Sequence, residues 1–234
     1  VGAQPWPRRG EWEVIARDLE IARRTGGRLH VCHVSTREGV DLLRSAKADG
    51  VRVTAEVTPH HLELTSGDAQ VRGPLLKVNP PLRSVSDTEA LREGLRDGTI
   101  DVVATDHAPH PPETKRRPWS AAAFGLTGLE TALAVVVDVF TGSDGQIDWS
   151  GIQRVMSTTP ARIGLLDTVG RLDVGSPATL VLIDPTAKHT IDIETQASAA
   201  RNSAFAGRQA SIAVDLTMIN GAATYLRPGA AHIL

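Results

Sequence analysis

Six of the eight histidines fall in three close pairs, His30 with His33, His60 with His61 and His107 with His110. Imidazole both moves protons near neutral pH and ligates first-row metals, so repeated pairs raise those two chemistries. Asp106 joins them: it follows the apolar run Val102-Val103-Ala104 and precedes His107 and His110. A carboxylate at the end of such a run must be hydrogen-bonded, paired or metal-bound, because burying it bare costs several kcal/mol. A lone strand histidine is more often a satisfied core residue than a ligand. Here, however, five of the six lie at or just beyond the end of a predicted strand. His33 closes the run RLHVCH, and strand alternation predicts that His30 points to the opposite face. By the same alternation Cys32 turns away from His33 and reads as a core residue. Imidazole and carboxylate from adjacent strand ends make a site for a first-row metal, with zinc the usual choice in a hydrolase.

The elements that must hold these groups alternate between helix and strand. Trp12, Ile15, Leu19 and Ala22 have helical spacing over residues 11–25, and Gly26-Gly27 stop that helix. A strand over 28–34 feeds a helix over 37–48, with Ser35 and Glu38 at capping-box spacing, and a second strand spans 51–57. The Pro- and Gly-rich stretch from Pro59 to Arg83 reads as a long functional loop. Ser86 and Glu89 form another capping box for a helix to about 97, and a third strand runs into ATDHAPH. A buried helix is predicted over 128–141, and Ser150 with Gln153 opens a short one. Beyond about residue 168, short strands separated by Gly, Pro and Asp turns replace the helical period. This alternation favours an α/β fold with a parallel sheet, whose chemistry gathers at the carboxyl ends of the strands.

Composition narrows the function class. With 25 basic and 27 acidic residues among 234, the net charge of −2 gives no electrostatic footprint for nucleic acid. Hydrophobic content of 41% and charged content of 22% are those of a globular chain. No window approaches the roughly 18 apolar residues of a membrane span, and one cysteine cannot form an internal disulfide. The expectation is a soluble, cytoplasmic protein.

Five segments in order, HVCHVST at 30–36, AEVTPHHL at 55–62, KVNPPLR at 77–83, ATDHAPH at 104–110 and FGLTGLETAL at 124–133, resemble the dihydroorotases of the amidohydrolase superfamily. MSTTPARIGL at 156–165 and SPATLVLIDP at 176–185 extend the resemblance to the helix before, and the start of, that family's small β-sandwich. The resemblance implies the last three strands of a (β/α)8 TIM-type barrel over 1–165 and part of a β-sandwich over 166–234. It implies that His33 and Asp106 bind zinc, that Asp106 is also the catalytic acid/base, and that Asn79, His110, Phe124 and Gly125 contact substrate. His60, His61 and His107 receive no ligand role by this route; His60 and His61 read as packing residues. The implied reaction is zinc-dependent, reversible hydrolysis of L-dihydroorotate to N-carbamoyl-L-aspartate in pyrimidine biosynthesis, on a binuclear zinc site. The implied assembly is a homodimer or a complex with aspartate carbamoyltransferase.

The chain also departs from that family. The His-x-His-x-Arg motif of the first strand, the bridging carboxylate of strand four and the ligand histidine of strand five are not found in it. Its first element resembles the helix after strand five, which implies a partial dihydroorotase chain whose activity belongs to the complete protein. Two alternatives remain. One is another cyclic amidase, a hydantoinase or allantoinase, against which the VNPPLR and TDHAPH segments weigh. The other is a non-catalytic scaffold for aspartate carbamoyltransferase, against which intact Asp106, His110 and Asn79 weigh. Three barrel strands alone leave an open sheet edge, so the chain is expected to self-associate.

Overall fold

The computed structural model describes residues 6–166 and 169–230. Helix α1 (Arg9–Thr25) buries Ile15, Leu19 and Ala22 and ends on Gly26, whose left-handed φ of 66° suits a residue without a side chain. Strand β1 (Leu29–Val31) leads to α2 (Arg37–Ala48), and β2 (Val53–Val57) pairs with β1 in parallel. The stretch expected to be a loop is largely helical: α3 (Pro59–Glu63), α4 (Ser66–Arg72) and a 3-10 turn (Gly73–Leu76). Thr58 and Thr65 cap the first two, and Pro at the start of α3 forfeits no helical hydrogen bond. These helices are five and seven residues long, too short to show a period in the sequence.

Helix α5 (Val85–Asp97) is followed by β3 (Val102–Val103), which pairs with β2 in parallel, giving the order β1-β2-β3. Then come α6 (Pro112–Lys115), α7 (Ala132–Val139), α8 (Trp149–Gln153) and, after a π-helical turn, α9 (Thr159–Ile163). The remaining strands are β4 (Leu180–Asp184), β5 (His189–Thr190), β6 (Gln209–Ala210), β7 (Ala213–Ile219) and β8 (Ala222–Leu226). They form an antiparallel sheet β4-β7-β8 and a two-stranded ribbon β5-β6. The α/β character expected from the sequence is therefore present. Ile191, Ala204, Phe205 and Ile212, from the β-rich region, share one buried cluster with Leu43, Leu91 and Leu95 of α2 and α5. Among the described residues, no helix is long and apolar enough to cross a membrane.

Three expected caps moved. Thr36, not Ser35, caps α2; Asp148 caps α8; and Ser84 with Asp87, not Ser86 with Glu89, forms the capping box of α5. Both spacings satisfy the same pattern, and tertiary contacts choose between them. The fully buried Asp87 carboxylate also accepts from Arg8 Nη2 at 2.7 Å and from the Arg37 amide at 2.9 Å. Burial pushes its pKa up, but the bonds from Arg8, Ser84 and Arg37 outweigh that and hold it well below the usual carboxylate range. Asp87 thus ties α1, α2 and α5 together.

Asp87→Ala is expected to destabilise the chain by about 3 kcal/mol, through loss of the cap and an unpaired Arg8. Because its folded pKa is depressed, the contribution is complete at neutral pH and is lost as pH falls below about 4. Urea denaturation should show the wild-type advantage at pH 7 and its narrowing in acid. The outer edges of β1 and β3 carry no strand among the described residues, so light scattering on the isolated chain should show self-association; a cooperatively melting monomer would exclude it.

Candidate active site

The parallel strands end in two unusual turns. His33, beyond β1, and Asp106, beyond β3, have φ of 54° and 48°, left-handed values that cost a side-chain-bearing residue of order 1 kcal/mol or more. They turn toward each other across β2, and His33 Nε2 lies 3.8 Å from Asp106 Oδ1. The structure thus brings together the two residues to which the family resemblance assigns metal binding. The same turn overrides strand alternation: His30 and His33 both reach Glu56, on the polar face of β2, at 3.1 Å and 2.8 Å. His30 also bonds Thr54 Oγ1 at 2.8 Å through Nδ1. Cys32 is exposed rather than core. Its sulfur and donor atoms of His30 and Glu56 lie within 4.8 Å of one another, a second group able to hold a metal ion. Partial burial, then Glu56, raises the Cys32 thiol pKa, so it is protonated at neutral pH.

The electrostatics centre on Glu56. Burial pushes its pKa up, but His33 and His30 outweigh that and keep it ionised. Glu56 in turn raises the His33 pKa against the opposing effect of burial. Its oxygen is close to His33 Nδ1 but out of line for a hydrogen bond, so this buried nitrogen has no hydrogen-bond partner. Burial raises the Asp106 pKa; His33 opposes and Glu56 adds to the rise, which makes Asp106 a stronger base than an exposed aspartate.

The turn after His33 is fixed from α1. The Glu11 carboxylate accepts from the amides of Ser35 and Thr36, each at 2.9 Å, and from both hydroxyls. Arg83 completes this network at 3.4 Å from Glu11 and 3.1 Å from Ser35 Oγ. His61 is 1% exposed, bonds Thr58 Oγ1 and the Pro80 carbonyl, and is held neutral with a pKa lowered to about 4, chiefly by burial. His60, 3% exposed, leaves Nε2 without a partner, and burial, His61 and His33 keep its pKa well below the ordinary value. His107 accepts the Gly128 amide at 3.1 Å through Nδ1, which pins the chain after β3.

On the other side of the site, Asn79 is exposed beside Pro80, and His110 Nε2 donates to the Phe124 carbonyl at 2.7 Å. A carbonyl oxygen only accepts, so Nε2 carries the proton of this bond. Gly125 has φ of 120°, and a Cβ there would lie 2.4 Å from Ala108 Cβ, so glycine alone lets the two loops touch. The residue that joins them was not legible in the sequence. Asn202 is 4% exposed, accepts the His110 amide at 3.1 Å, and donates to the carbonyls of Ala108 and Gly125 at 2.9 Å and 3.3 Å. No local pattern marks an asparagine whose three partners are 77 to 94 residues away in the chain.

Imidazole and carboxylate converging at the carboxyl ends of parallel strands are groups that could hold a metal ion. The amidohydrolase family model matches residues 16–224, and the chain belongs to that family. Its sequence is 48% identical over 225 residues to a protein of Streptomyces coelicolor named dihydroorotase, and 50% identical over 227 residues to one of Leifsonia xyli with the same name. These alignments cover 96% and 97% of this chain but 52% of each relative, so the chain spans about half the length of the curated relatives it matches. Among solved structures, L-hydantoinase (dihydropyrimidinase) from Arthrobacter aurescens superposes with a TM-score of 0.86 at 35% identity, over 94% of this chain and 49% of that one. D-hydantoinase from Thermus sp. gives 0.87 at 28% identity, over the same shares.

Asn202→Ala removes three bonds to backbone groups, one buried and two partly buried, and is expected to cost about 2–3 kcal/mol. Hydrogen exchange should show the amide of His110 losing protection while those of α2 keep theirs; unchanged exchange at His110 would contradict the role.

Proposed function

We propose that this chain supplies three strand ends of a dihydroorotase site, for metal-assisted, reversible hydrolysis of L-dihydroorotate to N-carbamoyl-L-aspartate in pyrimidine synthesis. The observation that carries the reading is His33 and Asp106 turned together by left-handed strand ends, 3.8 Å apart. The names of the relatives at 48% and 50% identity support the substrate. In this reading, residues 1–165 form the last three strands of a (β/α)8 barrel with their helices, and residues 166–234 form part of a small β-sandwich. The 191–212 segment packs back onto the barrel core.

The donors fit a zinc ion. Zinc binds nitrogen and oxygen at about 2.0–2.2 Å, so an imidazole Nε2 and a carboxylate oxygen 3.8 Å apart can share one ion. Glu56 lies 2.8 Å from Nδ1 and places a negative charge behind the ring, the position that carboxylates take behind metal-bound histidines. His33 and Asp106 would hold the ion with ligands from the part of the relatives' length that this chain does not span, in a binuclear site. A bound divalent ion supplies Lewis acidity, acidifying water and polarising the amide carbonyl. Asp106 would take the proton of the attacking water and deliver it to the departing ring nitrogen. Asn79 offers a free amide, and His110 Nδ1 accepts an N–H from the substrate. Phe124 and Gly125 form the wall that holds the ring over Asp106. The assembly in this reading is a homodimer or a complex with aspartate carbamoyltransferase, in the cytoplasm.

A hydantoin-type cyclic amide is the second reading, favoured by the L-hydantoinase superposition. The two separate in a chain completed with the amino-terminal half of the Streptomyces coelicolor relative and loaded with zinc. Dihydroorotate is expected to turn over and hydantoin not. Asp106→Asn should lower kcat about a thousandfold with KM little changed. Preference for hydantoin, or normal turnover by the asparagine variant, would reject the proposal.

A further inference from the structure

Lys77 and Lys115 are 8% and 5% exposed, yet of the lysines only Lys47 forms an ion pair among the described residues. Backbone carbonyls take the place of counter-ions. Lys115 Nζ, at the end of α6, donates to the carbonyls of Lys77 at 3.2 Å, Ala123 at 2.9 Å and Gly125 at 2.9 Å, which uses all three ammonium protons. Lys77 Nζ donates to Ala122 at 2.8 Å and Ser120 at 3.4 Å, and sits 4.3 Å from the centre of the Phe124 ring. The Gly125 amide returns a bond to the Lys77 carbonyl at 2.9 Å. Lys77 lies two residues before Asn79, so both loops assigned to substrate meet at one buried cation.

We propose that Lys115, backed by Lys77, is a positioning residue: its ammonium gathers the carbonyls of Lys77, Ala123 and Gly125, so the Asn79 and Phe124–Gly125 segments act as one rigid wall. The substrate role of that wall rests on the proposed function; the clamp itself does not. Burial, reinforced by Lys77, lowers the Lys115 pKa to about 8. Lys77 is the titratable group facing it, and the 120–125 segment presents carbonyls. His110 meets the same segment from the other side, at the Phe124 carbonyl. A neutral amine keeps two N–H donors and gains a lone pair, so above pH 8 one carbonyl loses its donor and the wall loosens.

Hydrogen exchange of the amides of residues 121–127 in this chain, corrected for intrinsic base catalysis, tests the clamp between pH 6.5 and 9.5. Wild type is expected to lose protection about tenfold by one pH unit above the midpoint near 8. Lys115→Met should be unprotected and flat with pH, and Lys188→Met should behave as wild type. Constant protection in wild type, or wild-type protection in Lys115→Met, would overturn the proposal. If Lys115→Met does not fold, the wild-type titration, with the Lys115 Cε shift as its monitor, decides alone. In the completed chain, Lys115→Met should raise KM for dihydroorotate about tenfold and leave kcat within about twofold. An unchanged KM overturns the positioning role. Absence of hydrolysis in every variant, wild type included, rejects the proposed reaction instead and leaves the exchange result to judge the clamp.

Discussion

Two left-handed turns, at His33 and Asp106, are the constraint on which the site depends. A parallel strand that continued straight would carry His33 past β2 and send its ring to the face away from Glu56. The turn costs conformational energy at residues with side chains, so neighbouring bonds must hold it. Glu11 supplies them on one side, accepting the two amides that follow Val34. His107 and Asn202 supply them on the other, by fixing the chain after Asp106 to residues 125–129. The strained positions are those where imidazole and carboxylate meet, and the polar groups that hold them come from helices and loops far away in the chain.

A common device runs through these loops: side chains, not ladders, satisfy the backbone. Glu11 serves amides, Lys77 and Lys115 serve carbonyls, and Asn202 serves both. Each is a polar group largely withdrawn from water, where an unmet hydrogen bond costs about 1–3 kcal/mol. That cost makes the arrangement stiff. Removing one partner strands several backbone groups at once, so a loop cannot shift without breaking the set. The carbonyl clamp carries a further property, because an ammonium without a carboxylate partner is held charged by dipoles alone and responds to pH in a range where an ion-paired lysine would not.

Elements whose signals are local are legible in the sequence. α1 was legible from apolar spacing and from Gly26, and α2 from the Ser35–Glu38 spacing, one residue away from its Thr36 cap. Asp106 was legible because a carboxylate ends an apolar run. The short helices α3 and α4 were not, since five and seven residues hold no full period and their Pro and Gly content imitates a loop. Cap positions slipped because Ser84–Asp87 and Ser86–Glu89 present the same spacing, and only the remote Arg8 and Arg37 distinguish them. The sign of φ at His33 was not legible either. That single sign decides whether His30 and His33 diverge or both meet Glu56, and it defeated the alternation rule for Cys32 as well. Asn202, Glu11 and Lys115 act only through tertiary contacts and leave no local mark.

The comparisons place sequence likeness with dihydroorotases and a shared fold with hydantoinases, and the geometry explains why both hold. The strand-end pair and its Glu56 partner are chemistry that any metal-assisted hydrolysis of a cyclic amide could use, so they cannot decide between ring substrates. In the proposed function, discrimination falls to the residues assigned to substrate away from the strand ends, Asn79, His110, Phe124 and Gly125. Those four residues sit on loops whose shape is set by Lys115 and Asn202. The pair His33 and Asp106 is likewise oriented by groups within this chain, so their approach to 3.8 Å is complete before any further ligand arrives. In the proposed function, two donors organised in advance would remove part of the entropic cost of closing a metal site. Glu11 supports the His33 turn alone and Lys115 the 123–125 loop alone, whereas Asn202 serves both the chain after Asp106 and the Gly125 loop, so the strand end and the loop beside it are coupled through one asparagine.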